Sequence, residues 1–332
     1  MQSRPFRRRD LLALGAAFAL GSATALPALA QTTGSQAPIR ILVGFPPGGG
    51  TDAIARTLAE KLKDLLGQPV LVDNRAGAGG QIAAQVLKAS PADGHTLFLS
   101  HDHTISILPL VTRSPGFDPA KDFVPVAGIA TFVNALALSG GTPAKTLPDY
   151  IQWVKGSQGG KGNVGIPAPA SVPEFLVKLV AQKYAVDLQA APYRGSAPMI
   201  ADMLGNQIGA GIASIPDFIE NHRAGKLHVV AVMGNARQAA VPDAPTFAEL
   251  GLKGFEDVPY YGLFAPAGTP QAAIDRIGEA LAKVMAMDDV KEKLTAMGLA
   301  VGYMPQQQLA DRERAYTQAW TKIIRASGFK PQ

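Results

Sequence analysis

The sequence predicts an α/β fold of two α/β domains joined by a hinge, with a ligand cleft between them. Three observations carry that expectation. Strand and helix signals alternate from residue 39 onward. Two apolar stretches from Val124 to Leu138 precede a second round of the same alternation. Tyr260-Tyr261-Gly262-Leu263-Phe264-Ala265-Pro266 then reads as a return crossing ahead of two terminal helices. A chain that leaves one α/β domain, builds another and comes back crosses the waist twice, which suits a hinged clamp around a ligand. The expected boundaries are a signal peptide over 1–30, a discontinuous first domain over 31–132 and 257–332, and a second domain over 133–256.

The amino terminus reads as an export signal. Arg4, Arg7, Arg8 and Arg9 precede an apolar run from Leu11 to Leu26, and Ala28-Leu29-Ala30 has the small-x-small form of a cleavage site. The run is too short for a membrane span. Arg8-Arg9 followed by Asp10-Leu11-Leu12 resembles a twin-arginine signal, with Arg7 where Ser or Thr is usual; a general secretory signal is the runner-up. Cleavage after Ala30 would leave 27 basic and 25 acidic residues, reducing the formal charge from +5 to +2. The basic balance of the whole chain therefore owes much to the leader, and no later stretch joins a basic cluster to stacking aromatics, so nucleic acid is not an expected partner. The absence of cysteine excludes disulfides, thiolate catalysis and cysteine-held metal.

In chain order, Ile39-Arg40-Ile41-Leu42-Val43 is a buried strand, and Ile54, Leu58, Leu62 and Leu65 mark a helix that Gly67 and Pro69 stop. Between them lies Gly44-Phe45-Pro46-Pro47-Gly48-Gly49-Gly50-Thr51-Asp52, with Thr51 or Asp52 placed to cap the helix. Free N–H groups and the positive end of the helix dipole meet there, a place for an anion. The same glycines would serve a plain tight turn. No Gly-Lys-Ser/Thr follows and the spacing is not a dinucleotide fingerprint, so a carboxylate is the better guess. Val70-Leu71-Val72 is a second strand, followed by a second glycine loop from Asp73 to Gly80 and a helix from Gln81 to Ala89. His95 to Leu99 is a third strand, and Ser100-His101-Asp102-His103-Thr104 reads as the loop after it. This βαβαβ order implies parallel strands, whose ligands gather beyond the carboxyl ends.

The second half repeats the pattern. Helices are expected over Leu147–Val154, Ser171–Gln182, 196–205 and Ile215–Ala224, with strands over Gly162–Ile166, Leu188–Pro192, Ile208–Ser214 and Leu227–Met233. Terminal helices are expected over Pro270–Met287 and Gln306–Ser327.

Seven stretches, in order, carry a family resemblance. They are Phe45 to Asp52 with Ala55-Arg56, Asn74-Arg75-Ala76-Gly77-Ala78-Gly79-Gly80, Pro91-Ala92-Asp93-Gly94-His95-Thr96-Leu97, Pro192-Tyr193-Arg194-Gly195, Arg223-Ala224-Gly225-Lys226-Leu227, Pro242 to Gly251, and Ala265 to Pro270. The chain resembles the Bug-type substrate-binding proteins of tripartite tricarboxylate transporters. That resemblance implies a fold like type II periplasmic binding proteins and a periplasmic receptor that closes around small organic acids, amino acids or aromatic carboxylates. It further implies a membrane permease of the tripartite tricarboxylate transporter type as partner, and no cofactor. Departures are Glu174 where histidine is frequent, and Gly209 and Ala213 where acids are frequent. In members that bind amino acids the later acid meets the ligand's ammonium group, so the expected ligand is a plain carboxylate, dicarboxylate, tricarboxylate or aromatic acid.

The candidate ligand-binding residues are Phe45 as an apolar wall, Gly48, Gly49, Gly50, Thr51 and Asp52 in the first loop, and Gly79 and Gly80 in the second. His101, His103, Ser171, Tyr193, Gly195 and Ser214 complete the set. His101 and His103 suggest a metal only weakly, since no third ligand stands near; two solvated loop histidines remain the plain reading. Neither Ser171 nor Ser214 sits in a Gly-x-Ser-x-Gly elbow, so each is a hydrogen-bond donor or a helix cap. Arg75 and Arg194 could each pair with an anion or lie on the surface. Two functional classes remain. The favoured one is a non-enzymatic, monomeric receptor that hands a carboxylate to a permease. The alternative is an exported α/β hydrolase or isomerase using the His101/His103 loop, which lacks an assembled acid–base or nucleophilic set.

Overall fold

A computed structural model describes residues 37–253 and 257–331. The expected leader and its cleavage site lie outside the described residues. The first sheet opens with β1 (Ile39–Val43), β2 (Val70–Asn74) and β3 (Thr96–His101), joined by α1 (Gly50–Leu66) and α2 (Gln81–Lys88). Two short helices, α3 (Leu108–Val111) and α4 (Pro119–Asp122), lead to β4 (Phe123–Thr131). The chain then enters a second sheet through β5 (Asn134–Ser139), α5 (Leu147–Ser157), β6 (Lys161–Ile166), α6 (Val172–Tyr184) and β7 (Asp187–Pro192). That sheet continues through α7 (Ser196–Leu204), β8 (Ala210–Ser214), α8 (Ile215–Arg223) and β9 (Leu227–Val232). The return to the first sheet is β10 (Tyr260–Pro266), followed by α9 (Gln271–Ala286), α10 (Asp288–Ala296), β11 (Ala300–Met304) and α11 (Gln306–Ala326).

The six-stranded sheet has the order β11-β4-β10-β3-β1-β2, and the five-stranded sheet β7-β6-β8-β5-β9. β1 pairs in parallel with β2 and β3, while β10 runs antiparallel between β3 and β4. In the second sheet β6 is parallel to β7 and β8, whereas β5 is antiparallel to β8 and β9. Ile39, Ile41, Leu42 and Val43 are buried on both faces of β1, as a parallel interior strand requires. Ile54, Ala55, Leu58, Ala59 and Leu62 line the buried stripe of α1, and Gly67 ends the helix in the left-handed region at φ 65. Each fully buried leucine or isoleucine of this core contributes about 1.5–3 kcal/mol.

Three expectations are corrected. Neither Thr51 nor Asp52 caps α1: the helix starts at Gly50, Gly49 takes the cap position, and no side chain bonds the first turn there. The segment from His101 to His103 is not a loop, because β3 extends through His101 and a wide π-type turn begins at His103. α10 and β11 were not expected. In α10 only Val290 and Leu294 are buried, and β11 is a five-residue edge strand in which only Met304 is buried, so neither shows a clear period.

Candidate functional site

Helix heads converge where the carboxyl ends of the two sheets' strands face each other. α1 follows β1, α6 follows β6, α7 follows β7 and α8 follows β8, and the first residues of all four line one cavity of about 50 Å³. A water-sized group needs about 10–15 Å³ by this measure, so the space suits a small solute. Each head carries the equivalent of about half a positive charge. The walls hold two carboxylates, Asp102 and Asp217, and among the described lining residues there is no lysine or arginine.

The heads are joined by Asp217, which enters from the first turn of α8. Its Oδ1 accepts from the Gly50 N–H at 2.8 Å and from Ser196 Oγ at 2.5 Å. Its Oδ2 accepts from Ser214 Oγ at 2.5 Å. One carboxylate thus ties α1 of the first sheet to α7 and α8 of the second. The Tyr261 hydroxyl meets Thr51 and Ser214 beside it, and burial, with Asp217 adding to the effect, holds that phenol far above its usual pKa.

The opposite wall is aromatic. Phe45 stacks on His101 with ring centroids 5.0 Å apart, and Phe132 and Tyr261 meet the same imidazole edge-on at 5.9 and 5.5 Å. His101 Nδ1 accepts from the His103 N–H at 3.3 Å and lies 3.3 Å from Asp102 Oδ1; Asp102 Oδ2 in turn accepts from the Tyr316 hydroxyl at 2.9 Å. His103 is different. It lines the cavity, is 5% exposed, and neither ring nitrogen has a hydrogen-bond partner. Burial, reinforced by His101 and opposed by Asp102, pushes its pKa down to about 4, so the ring is neutral at pH 7.

Of the residues singled out in the sequence, Phe45, Gly49, Gly50, Thr51, His101, His103, Ser171 and Ser214 line this cavity. Asp52 turns away. Its carboxylate accepts from Gly48 N–H, Arg56 Nε and Asn74 Nδ2 at 3.0, 2.9 and 3.0 Å, and so holds the glycine turn in shape. Burial opposes its charge, but those three bonds outweigh it and keep the carboxyl below the usual carboxylate range. Gly48 is part of that turn rather than of the cavity wall. Gly79, Tyr193 and Gly195 line a separate crevice of about 230 Å³ on the other side of Phe45. The second glycine loop is packed rather than open: a Cβ on Gly79 would stand 2.5 Å from His103 Nε2, and one on Gly44 would stand 2.6 Å from Gly80 Cα. Ser171 donates to the Ala168 carbonyl at 2.7 Å. Arg75 pairs with Asp73, away from the cavity. Among the described residues no group of side chains is placed to hold a metal.

The sequence did not single out Asp217, Ser196 or Asn134. A signal existed for the first: Ser214-Ile215-Pro216-Asp217 after an apolar strand is a Ser-x-x-Asp helix start at a sheet's carboxyl edge.

The sequence profile described as "Tripartite tricarboxylate transporter family receptor" matches residues 54–329. The chain belongs to this family. The receptor is similar to BugT of Bordetella pertussis, at 32% identity over 96% of this chain and 98% of that protein. Its fold is similar to an R. palustris protein solved with adipate, at 30% identity and TM-score 0.83 over 89% of this chain and 98% of the other. MatC from Rhodopseudomonas palustris with bound malate gives 29% identity and TM-score 0.79, over 86% of this chain and 98% of its own. The two-sheet α/β architecture is that of periplasmic binding proteins, and the chain is a solute-binding receptor.

Proposed function

We propose that this receptor captures a small organic carboxylate in the cavity between the two sheets, in the periplasm, and delivers it to a membrane permease without chemical change. The observation that carries the reading is an unpartnered, neutral, buried His103 beside the head of α6 on one small cavity, with the heads of α1, α7 and α8 gathered round Asp217 in the same lining. Helix heads favour negative charge, and a buried imidazole without partners is costly unless a bound group answers it. Adipate and malate in the related R. palustris structures support the carboxylate class. In this reading Phe45 and His101 form the apolar wall, and Gly49, Thr51, His103, Ser171 and Ser214 face the ligand. Segments 31–132 with 257–332, and 133–256, act as the two jaws of a monomer, exported by the leader over 1–30. No nucleophile with a matched base stands in the cavity, which favours a receptor over a hydrolase or isomerase.

A thermal-shift screen of small acids on protein refolded from denaturant tests this. An acid at 100 times its Kd adds about 2.7 kcal/mol, which for a chain of this size raises Tm by about 5–10 °C. No shift with any monocarboxylate, dicarboxylate, tricarboxylate or amino acid would refute the carboxylate reading.

A further inference from the structure

The family resemblance implies acids where this chain has Gly209 and Ala213, and their loss implies a ligand without an ammonium group. The fold supplies an acid from another place. Asp217 reaches the cavity from the first turn of α8 and already occupies the Gly50 N–H at the head of α1. The anion position expected there is thus filled by the chain's own carboxylate, held also by the first residue of α7 and the cap of α8.

Two regions of opposite character result. At the Asp217 end, Gly50, Ser196 and Ser214 direct their donors to the carboxylate, leaving acceptor capacity on Oδ2, and Tyr261 stands beside it. A carboxylate oxygen with a free acceptor position is what a protonated nitrogen requires. At the other end, the head of α6 with Ser171 and Val172 stands in the same lining as His103, whose two buried ring nitrogens have no partner. A dipole end and a neutral imidazole that can donate are what a carboxylate requires. A second carboxylate at the Asp217 end would face a like charge with no lysine or arginine to offset it.

We propose that the ligand is a carboxylate that also carries a protonated nitrogen, with its carboxylate at the α6 head beside His103 and its nitrogen at Asp217. This rests on the carboxylate reading above and narrows it. Asp217 is then the specificity-determining residue, placed to reject plain diacids.

Calorimetry on refolded protein decides it with four matched probes at each chain length from two to five carbons: the monoacid, the α,ω-diacid, the ω-amino acid and the alkylamine. The expected result is that the best ω-amino acid binds at least tenfold more tightly than the acid, diacid and amine of equal length. In Asp217→Asn, which keeps an oxygen for Gly50 N–H, that preference falls below threefold. Acids or diacids that bind the wild type as tightly as ω-amino acids overturn the inference while leaving the carboxylate reading intact. So does an Asp217→Asn variant that keeps the tenfold preference. Silence from all four series overturns this inference and leaves the carboxylate reading to the wider acid screen, whereas binding of alkylamines alone removes both. The wild-type comparison stands by itself should the variant fail to fold.

Discussion

Gly50→Ala separates the two jobs of the α1 head. Gly50 is the first residue of α1 and needs no left-handed backbone, so alanine fits the chain, and at a helix position it gains up to about 1 kcal/mol over glycine. Across the cavity the outcome reverses. The added Cβ would stand 3.0 Å from Pro216 Cβ and 3.2 Å from Asp217 Oδ1, closer than ordinary contact. The α8 head must retreat by a few tenths of an ångström, stretching the 2.8 Å bond from Gly50 N–H to Asp217. Overpacking of this kind costs about 1–3 kcal/mol. Charged to a ligand-bound state that keeps the contact, the cost weakens binding by about 5- to 150-fold. Melting and calorimetry on the same preparations read both effects, with the strongest binder from the acid screen as ligand. The expected variant has a Tm within a few degrees of wild type and a clearly larger Kd. An unchanged Kd would show that the contact is the same in the free and bound states or absent from the bound one, and closure of the α1 and α8 heads on binding would be refuted.

Two further outcomes concern the scaffold. Gly44→Ala should destabilise the protein by about 1–3 kcal/mol, since its Cβ would stand 2.6 Å from Gly80 Cα, backbone that cannot rotate aside; a urea midpoint equal to wild type would refute the close packing of the two loops. Burial pushes the Glu313 carboxyl up to about 7, partly offset by Arg314, so the folded state holds a proton that the unfolded chain releases near its ordinary value of 4.5. Stability is therefore full below pH 4.5 for this group and is lost as pH rises through 7, by about 2–3 kcal/mol. Glu313→Gln should remove that loss, and parallel urea stability profiles of variant and wild type between pH 5 and 8 would show that Glu313 is not buried as described.

Much of the fold was legible because strand and helix periods are local. Ile39–Val43, the stop at Gly67 and the return at Tyr260 each announce themselves within a dozen residues. The candidate site was legible where it is built from such neighbourhoods: Phe45 and Gly49 to Thr51 after β1, His101 and His103 after β3, and Ser171 and Ser214 at helix starts. Asp217 was not, because nothing in its own sequence window says that the head of α8 faces the head of α1. Gly79 and Gly80 show the converse. Their positive φ values of 64 and 91 and their contacts with His103, Gly44 and Thr104 account for glycine there through packing alone.

The waist has a mechanical consequence. The two crossings are paired strands rather than free tethers: Tyr260 stands opposite Thr131, and the Phe132 N–H donates to the Pro259 carbonyl at 3.1 Å where the chain passes between the sheets. A pair of bonded strands resists stretching and sideways shear but yields to twist. Should the sheets part, the paired crossings would turn as a torsion spring, and the contact of Trp320 on α11 with Phe175 on α6 would have to open. Small changes at Thr131, Pro259 or Tyr260, none of which lines the cavity, would then retune how wide the jaws gape.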